Sequence, residues 1–446
     1  MNLLLIDHHG TGLHLAMLAE KAGHSVKLWI PPSHTGLPNQ VGAGIVERLY
    51  SRDGWKKWMK WADLIIPTDN AHYIQDLKPF FQDGFPIFGA NEQGTRLELD
   101  RTFGQDVFSA HGLAVNKYEV FHDYDEAIEF VKKTNKAYAS KPLGDSDKAL
   151  SYVAHSPAAL VFKLERWKRK KKLQKGFILQ ELVEGQEVAI GGWFGPGGWC
   201  SAVCENWEEK RLMNGGLGDN TGEQGTVVRY VRESKLFTDV LAPFTEYLHS
   251  IEYVGYVDVN CIVNSSGQPV PLEWTCRFGD PTLNIQSFLH EGDPIEWMRD
   301  LLRGQDTLRV KKDIAVGVVL SHGDYPYKFL TEEEVSGYPL DGLTQDRKRR
   351  VAFAYVKRDR APVQIGRMVE EVETFVTAGN YVLIGVGVGK TVNRARQEAY
   401  ETMWALNIPS NRMFRTDIGE RLEKDLRNLQ RHGFCSDMRY SSSSSS

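Results

Sequence analysis

Asp258, Glu273 and Arg277 are the residues of this chain whose types and spacing carry the most chemistry. Two carboxylates offer hard oxygen ligands to a divalent cation, and a guanidinium offers a fork to anionic oxygens. Together they suit a metal-bound polyphosphate. Asp258 stands in the run 256–263 and Glu273 in the run 270–275. Both runs are rich in β-branched residues, and Asn264-Ser265-Ser266-Gly267 between them reads as a hairpin turn. A hairpin brings Asp258 and Glu273 close on adjacent strands, with Arg277 just beyond. The same spacing also fits an ordinary hairpin with solvated charges, so the rest of the chain decides.

Further stretches carry related chemistry. Lys141 ends a predicted strand and precedes the small-residue loop 143–150, which contains Ser146. A lysine point charge and approachable backbone N–H groups grip phosphate; a plain surface turn is the competing reading. In Gln180-Glu181-Leu182-Val183-Glu184-Gly185-Gln186-Glu187, backbone groups of Glu181 and Val183 can read adenine while the Glu187 carboxylate accepts from ribose hydroxyls. The alternative is a simple β-hairpin. The glycine-rich run 215–225, with Lys210 and Arg211 just upstream, can wrap an anion, act as a lid, or both. Residues 163–175 hold eight Lys or Arg in thirteen around Trp167, which fits a solvated helix face better than a nucleic-acid contact.

Two tempting motifs fail. Gly10 and Gly12 open the first turn, but Leu15 occupies the third glycine position of a dinucleotide fingerprint and no acidic residue follows the second strand. Residues 385–391 are one residue short of a P-loop, because Ile384 stands where its first glycine belongs.

The elements that must position these groups read as follows. Strands at 3–6, 26–30, 62–67 and 86–89, with a helix through Ala22, make a small doubly wound α/β domain over residues 1–90. A core follows over 91–310, with helices at 96–110, 121–132 and 160–175 and strands at 136–142 and 177–183. The strand 187–194 is expected to pair back onto 177–183, and a lid subdomain is expected at about 115–180. A separate, smaller unit is expected over 311–425, beginning with the strand 315–320. Residues 426–446, ending in six serines, read as a disordered tail.

Composition sets broad limits. At 446 residues the chain holds two to four domains, and 41% hydrophobic with 25% charged residues is ordinary for a globular protein. A net charge of −4 argues against a wholesale nucleic-acid binder. Five cysteines without a C-x-x-C pair fit reduced thiols rather than a disulfide framework or zinc site. A cytoplasmic protein with no membrane segment is expected.

The order strand, Lys141, loop, hinge, then Asp258 and Glu273 on a later hairpin resembles the ATP-grasp carboxylate–amine ligases. More specifically, Leu272-Glu273-Trp274-Thr275-Cys276-Arg277-Phe278-Gly279-Asp280-Pro281 resembles the E-F-N-A-R-F-G-D-P-E motif of the phosphoribosylamine–glycine ligase family. Gly218-Asp219-Asn220-Thr221-Gly222 is similar to its G-P-N-T-G loop, and residues 318–326 to its V-V-L-A-S-G-Y-P. Ala395-Arg396 with Ala399-Tyr400, then Arg415-Thr416-Asp417-Ile418-Gly419, resemble its closing A-R-x-x-A-Y and R-x-D-I-G.

The resemblance implies a multidomain mixed α/β protein: an N-terminal α/β domain, an ATP-grasp core with a mobile lid, and a small C-terminal domain. It implies that ATP converts a carboxylate to an acyl phosphate, which an amine attacks. ATP and Mg²⁺ (or Mn²⁺) are the implied cofactors, and an amino acid, most simply glycine, and phosphoribosylamine or a nucleotide-like amine the implied substrates; a monomer or homodimer fits. Arg101, Lys141, Ser146, Glu181, Val183 and Glu187 would contact ATP; Asp258, Glu273 and Thr275 would face the metal. Arg277 would bind the transferring phosphate or substrate carboxylate. Gly10, His14, Lys210, Arg211, Asn220, Thr221 and Asp280 complete the implied substrate set.

Departures from the family pattern define what is open. Thr275 replaces the asparagine two residues after the metal glutamate, and Arg101 stands for an ATP-contacting lysine. Asp258 stands where D-alanine–D-alanine-type ligases carry a metal aspartate. The family's N-G-G-R-E-H loop is His9-Gly10-Thr11-Gly12-Leu13-His14 here, without its Arg and Glu. ATP chemistry therefore looks retained and the amine pocket altered. A catalytically idle homologue that binds nucleotide or a partner is the alternative.

Overall fold

A computed structural model describes residues 1–32, 39–143, 151–170, 176–327 and 329–442. The apolar segment Asn2–Ile6 pairs in parallel with Ser25–Trp29 on one side and Leu64–Pro67 on the other. A short strand, Arg48–Leu49, extends the sheet to four and has no counterpart in the sequence reading. The expected strand at 86–89 reduces to a single bridge between Ile65 and Ile87; Pro86 brings no backbone N–H to a ladder. Helix Leu13–Lys21 follows the first strand, and Gly23, at φ +91°, turns the chain out of it.

The predicted helix over 96–110 is two helices, Glu92–Leu99 and Arg101–Ala110. The break is Asp100, whose side chain accepts from the Phe103 N–H and starts the second helix as its cap. Next comes a four-stranded antiparallel sheet in the order Tyr118–Phe121, Phe177–Glu181, Tyr138–Pro142, Tyr152–Val153. Two helices, Tyr124–Thr134 and Pro157–Arg169, contact each other and carry their apolar faces into this unit. Phe121, expected to begin the first of these helices, belongs instead to the sheet. The unit has its own core of Phe121, Tyr124, Ile128, Leu160, Leu164 and Leu179. Trp167 joins that core while Arg166, Lys168 and Arg169 stay exposed, so the described part of the basic run is a solvated helix face.

The largest sheet has nine strands and corrects one expectation. Gly185–Gly195 does not fold back on Phe177–Glu181. It pairs with Gly255–Asn264 and Val203–Met213, so the chain changes sheets between Glu181 and Gly185. Ile314–Ser321, the expected start of the C-terminal unit, also belongs to this sheet. It pairs with Leu217–Val231 and Tyr381–Gly389, extending the same sheet. The buried face of this sheet shares one continuous core with the N-terminal sheet.

The stretch after Leu426 is not a tail. Helix Leu422–Arg431 buries Leu422, Leu426 and Leu429, and Phe434, Cys435 and Met438 pack into the main core. Leucines at i, i+4 and i+7 are the helical period that the sequence reading passed over. Only residues 443–446 of the six serines lie outside the described residues. All five cysteines are free and buried. Among the described residues no helix is long and apolar enough to cross a membrane.

Candidate active site

The hairpin inferred from sequence is present: Gly255–Asn264 and Pro269–Thr275 are antiparallel neighbours. Their register pairs Asp258 with Thr275 and Asn260 with Glu273. Asn260 and Asn206 both pair with Ala189 of the strand between them. Side chains alternate along each strand, so one face of four adjacent strands presents Glu273 and Thr275, Asp258 and Asn260, Glu187, and Asn206, Glu208 and Lys210.

At the centre of that face, the Lys210 Nζ lies 3.0 Å from Glu208 Oε2, 3.4 Å from Glu273 Oε1 and 3.8 Å from Glu187 Oε1. Arg101 Nη1 donates to Glu273 Oε2 at 3.1 Å. Asn260 Nδ2 donates to Glu187 Oε1 at 3.0 Å and to Glu208 Oε2 at 3.2 Å. Lys141, from the strand of the other sheet, faces the same cluster: burial, opposed by Glu273 and reinforced by Arg101 and Lys210, brings its ammonium down to about 8. Burial acts to raise the Glu273 carboxyl, but Lys210, Arg101 and Lys141 overcome it and hold it well below the usual range. Three cations and three carboxylates thus meet where the chain passes between two sheets.

Asp258 takes a different position from the one expected. It is buried, accepts from Asn206 Nδ2 at 2.7 Å and the Tyr256 hydroxyl at 3.1 Å, and is pushed up to about 7 by burial and then by Glu208. Gly191 makes room for it: a Cβ there would lie 2.0 Å from the Tyr256 hydroxyl and 2.6 Å from Asp258 Oδ2. The residue opposite Glu273 is Asn260, which the sequence reading missed. Among the described residues its buried Oδ1 has no hydrogen-bond partner, and it is an oxygen donor of the kind a hard cation takes. The donor set of Glu273, Glu208 and Asn260 Oδ1 therefore fits a divalent ion.

The hinge segment is partly engaged already. The Glu181 N–H donates to Lys117 O and its carbonyl accepts from Asn116 Nδ2 at 3.0 Å, which leaves the second carbonyl lone pair for a ligand. Its carboxylate pairs with Lys136 at 3.2 Å. Val183 is half-buried within the crossover to Gly185. Ser146 and its loop lie outside the described residues.

Beyond the cluster, Arg277 is fixed by Glu98, another residue missed from sequence. Glu98 Oε1 accepts from Arg277 Nε at 3.1 Å, and Oε2 accepts from the Cys276 N–H at 2.8 Å and Asn70 Nδ2 at 2.9 Å. Glu98 and burial oppose each other, and the attraction wins: the guanidinium is held above its ordinary value. Asp280 lies near Arg277 and the buried Glu223. Burial first, then Glu208 and Asp280, push Glu223 well above the usual range, and the Thr282 hydroxyl donates to it at 3.5 Å.

The glycine-rich run 215–225 is mostly strand rather than an open loop. Val203–Met213 and Leu217–Val231 form one long hairpin in which Arg211 pairs with Asn220. Its tip is tied down: the Gly215 N–H donates to Asp417 Oδ2 at 2.8 Å, Arg415 Nη1 to Arg211 O at 2.9 Å, and the Tyr327 hydroxyl to Asp219 at 2.6 Å. Arg211 donates to Gly218 O, and the Thr221 hydroxyl to Lys210 O at 2.9 Å, which steadies the strand bearing Lys210. The 415–419 motif thus acts here as an anchor for the hairpin.

The first turn is organised by buried Asp7, which accepts from the Gly10 N–H at 3.0 Å, the Gly12 N–H at 2.7 Å and the Thr68 hydroxyl at 2.8 Å. Gly10 has φ +79°, a conformation that favours glycine. His14 does not join it. It stacks on Phe288 and lines a cavity of about 310 Å³ with Leu18, Leu283 and His290, and burial brings its imidazole down to about 4. A signal for the missed Glu208 was available: Glu205-Asn206-Trp207-Glu208-Glu209-Lys210-Arg211 alternates polar groups onto one strand face.

Comparison with known proteins gives two family matches. Residues 99–283 match the phosphoribosylglycinamide synthetase ATP-grasp (A) domain, and residues 315–421 match the C domain of the same family. A trifunctional purine biosynthetic protein adenosine-3 of Drosophila pseudoobscura pseudoobscura is 27% identical over 77% of this chain, which spans 25% of that protein. A phosphoribosylamine–glycine ligase of Vibrio vulnificus is 24% identical over 94% of this chain and 98% of its own length. Among solved structures, the phosphoribosylamine–glycine ligase of Thermotoga maritima superposes with a TM-score of 0.69 at 19% identity, covering 94% of this chain and 100% of that one.

Proposed function

The chain belongs to the phosphoribosylglycinamide synthetase family, and on that premise we propose that it is an ATP-dependent ligase joining a carboxylate to an amine through an acyl phosphate. Glycine is the simplest carboxylate substrate, and phosphoribosylamine or a related amine the acceptor. The observation that supports this most is the convergence of Lys141, Arg101 and Lys210 with Glu187, Glu208, Glu273 and Asn260 beside the crossover between two sheets.

In the proposed reaction a carboxylate oxygen attacks the γ-phosphorus and ADP leaves. The amine nitrogen then attacks the acyl carbon, phosphate leaves, and the nitrogen gives up a proton. The protein's task is mostly positioning and neutralising charge. Lys141 and Arg101 offer their charges to the polyphosphate. Arg277, clamped on one side by Glu98, presents its remaining N–H groups to the substrate carboxylate or the phosphoryl group. Mg²⁺, when bound, would be held by Glu273, Glu208 and Asn260 and would supply electrostatic stabilisation to the phosphate oxygens. Glu223, pushed up by burial and by Glu208 and Asp280, favours the protonated form that would donate a hydrogen bond beside Asp280.

The test is ADP release by the purified chain with ATP, glycine and a panel of amines, including phosphoribosylamine. Amine-dependent turnover that disappears in Glu273→Ala supports the ligase reading; no amine-dependent turnover with any amino acid rejects it. Thr275, in place of the family's asparagine, favours one second reading, a nucleotide-binding homologue without turnover. ATP binding without hydrolysis under every substrate combination would establish that instead.

A further inference from the structure

Asn2–Ile6 and Leu64–Pro67 are adjacent parallel strands, and their carboxyl ends lie at the edge where such sheets bind ligands. Three histidines gather there. His8 and His9 follow the first strand, and His72 follows the second. Each offers a ring nitrogen, and the three nitrogens lie within 4.8 Å of one another. The rings of His8 and His72 have centroids 3.4 Å apart, and His9 meets both edge-on.

These rings are held by neighbouring groups. Asp69, whose side chain is 8% exposed, accepts from His72 Nδ1 at 2.9 Å and lies 3.5 Å from His9 Nε2. It also accepts from the backbone N–H groups of Ala71 and His72 at 2.9 Å. His8 Nδ1 is 2.7 Å from the Tyr73 hydroxyl. A carboxylate on the far nitrogen of a ligating imidazole fixes its tautomer and raises its basicity, which is the usual support for a metal-bound histidine.

We propose that His8, His9 and His72 form a binding site for one divalent transition metal ion, with Asp69 and Tyr73 as supporting groups. Imidazole nitrogens select borderline ions such as Zn²⁺ or Co²⁺ over Mg²⁺. A tetrahedral ion with bonds of about 2.0–2.1 Å needs ligand nitrogens roughly 3.3–3.4 Å apart, so the rings close by on the order of an ångström. His9 and His72, with side chains 54% and 33% exposed, have the freedom to swing in. Three protein ligands leave a fourth position open to water or an anionic oxygen. The site borders the ligase centre, because Asn70 bonds Glu98, the residue that clamps Arg277. It is chemically distinct from the oxygen-donor cluster at Glu273, and its existence does not depend on the ligase reading.

The test uses the full chain, stripped of metal and titrated with Co²⁺ by absorption spectroscopy and with Zn²⁺ by calorimetry. One equivalent of Co²⁺ giving the visible bands of a tetrahedral nitrogen-ligated ion is expected. His9→Ala and His72→Ala should each weaken binding at least tenfold, and Asp69→Asn should weaken it about 10–100-fold while keeping the stoichiometry. His9→Cys should retain one equivalent and add a sulfur-to-Co²⁺ charge-transfer band, which only a ligand at that position produces. Glu273→Gln should keep the visible bands of the tetrahedral nitrogen-ligated ion. The proposal is overturned if no equivalent of Co²⁺ binds, if binding survives His9→Ala and His72→Ala unchanged, if His9→Cys gives no sulfur band, or if Glu273→Gln abolishes binding.

Discussion

Lys210 occupies the place where a cation belongs, and replacing it with methionine tests that directly. Its ammonium touches Glu208, Glu273 and Glu187 at 3.0, 3.4 and 3.8 Å. At an effective dielectric constant of ~20, one such contact at 4 Å is worth about 4 kcal/mol before desolvation. The side chains are 34% exposed for Lys210, 36% for Glu273 and 38% for Glu187, with Glu208 at 18%. Screening therefore leaves roughly 0.2–1 kcal/mol per pair, or about 1–2 kcal/mol together. Lys210→Met should lower metal-free stability by about that amount. The same loss frees three carboxylates for a divalent ion, so the apparent affinity for Mg²⁺ should rise about tenfold, 1.4 kcal/mol being a factor of ten. Thermal melts of both proteins across a MgCl₂ titration read both effects, since a ligand that binds only the native state raises the melting temperature by mass action. Methionine keeps most of the aliphatic volume, which separates charge from packing. An unchanged or weaker Mg²⁺ response in Lys210→Met would refute the argument that lysine and metal compete for one set of oxygens.

Three further outcomes are expected. Lys141, brought down to about 8 by burial, is charged below that pH and neutral above it; kcat/KM for ATP should fall as pH rises through about 8, and Lys141→Arg should remove that limb of the profile. Asp258 sits at about 7 against an ordinary value of 3.8, so the native state holds a proton that the unfolded chain releases, and stability must fall as pH rises between those values. At 1.36 kcal/mol per unit the loss is about 4 kcal/mol. Thermal melts at pH 5 and pH 8 should show about 2–3 kcal/mol of this loss in the parent chain and not in Asp258→Asn, and a flat parent profile would contradict the buried assignment. Truncation after Asp425 removes Leu426, Leu429, Phe434 and Met438 from the core. At about 2–5 kcal/mol for each large apolar side chain lost, this is as large as a typical total stability of about 5–15 kcal/mol. Recovery of folded protein by circular dichroism should fail for that truncation and succeed when only residues 441–446 are removed.

What was legible in the sequence was local. The runs 256–263 and 270–275 are short, β-branched and separated by a turn, so both strands and their adjacency follow from periodicity. Long-range pairing was not legible. Residues 177–183 and 187–194 look like a hairpin because a glycine lies between them, yet one joins the sheet beside Lys141 and the other the sheet bearing Glu273. Nothing in an apolar run states which partner it takes. Likewise, that Ile314–Ser321 extends an existing sheet was not legible, since such a strand reads no differently from one starting a new sheet. The helix after Arg421 was missed because its polar face is strongly charged, although Leu422, Leu426 and Leu429 keep the helical period.

At the site, residue types were legible and register was not. Asp258 and Asn260 lie on the same face of one strand, so alternation alone cannot choose which stands opposite Glu273. The turn at 264–267 and an irregularity between Asn260 and Cys261 settle the register in favour of Asn260. That choice has an electrostatic consequence. Glu187, Glu208 and Glu273 on one face would repel one another without compensation, and a buried or half-buried carboxylate left unpaired is costly. The fold compensates with Lys210, Arg101 and the amide of Asn260. The same cations are the groups that a polyphosphate attracts most strongly. A nucleotide that draws Lys210, Arg101 and Lys141 toward its phosphates leaves the carboxylates short of positive charge, and a divalent ion restores it. Metal and nucleotide should therefore bind this cluster with positive coupling, each raising the affinity for the other by the same factor. Calorimetric titration of ATP with and without Mg²⁺ in the parent chain, and in Lys210→Met, should show that coupling shrink once the exchanged charge is gone.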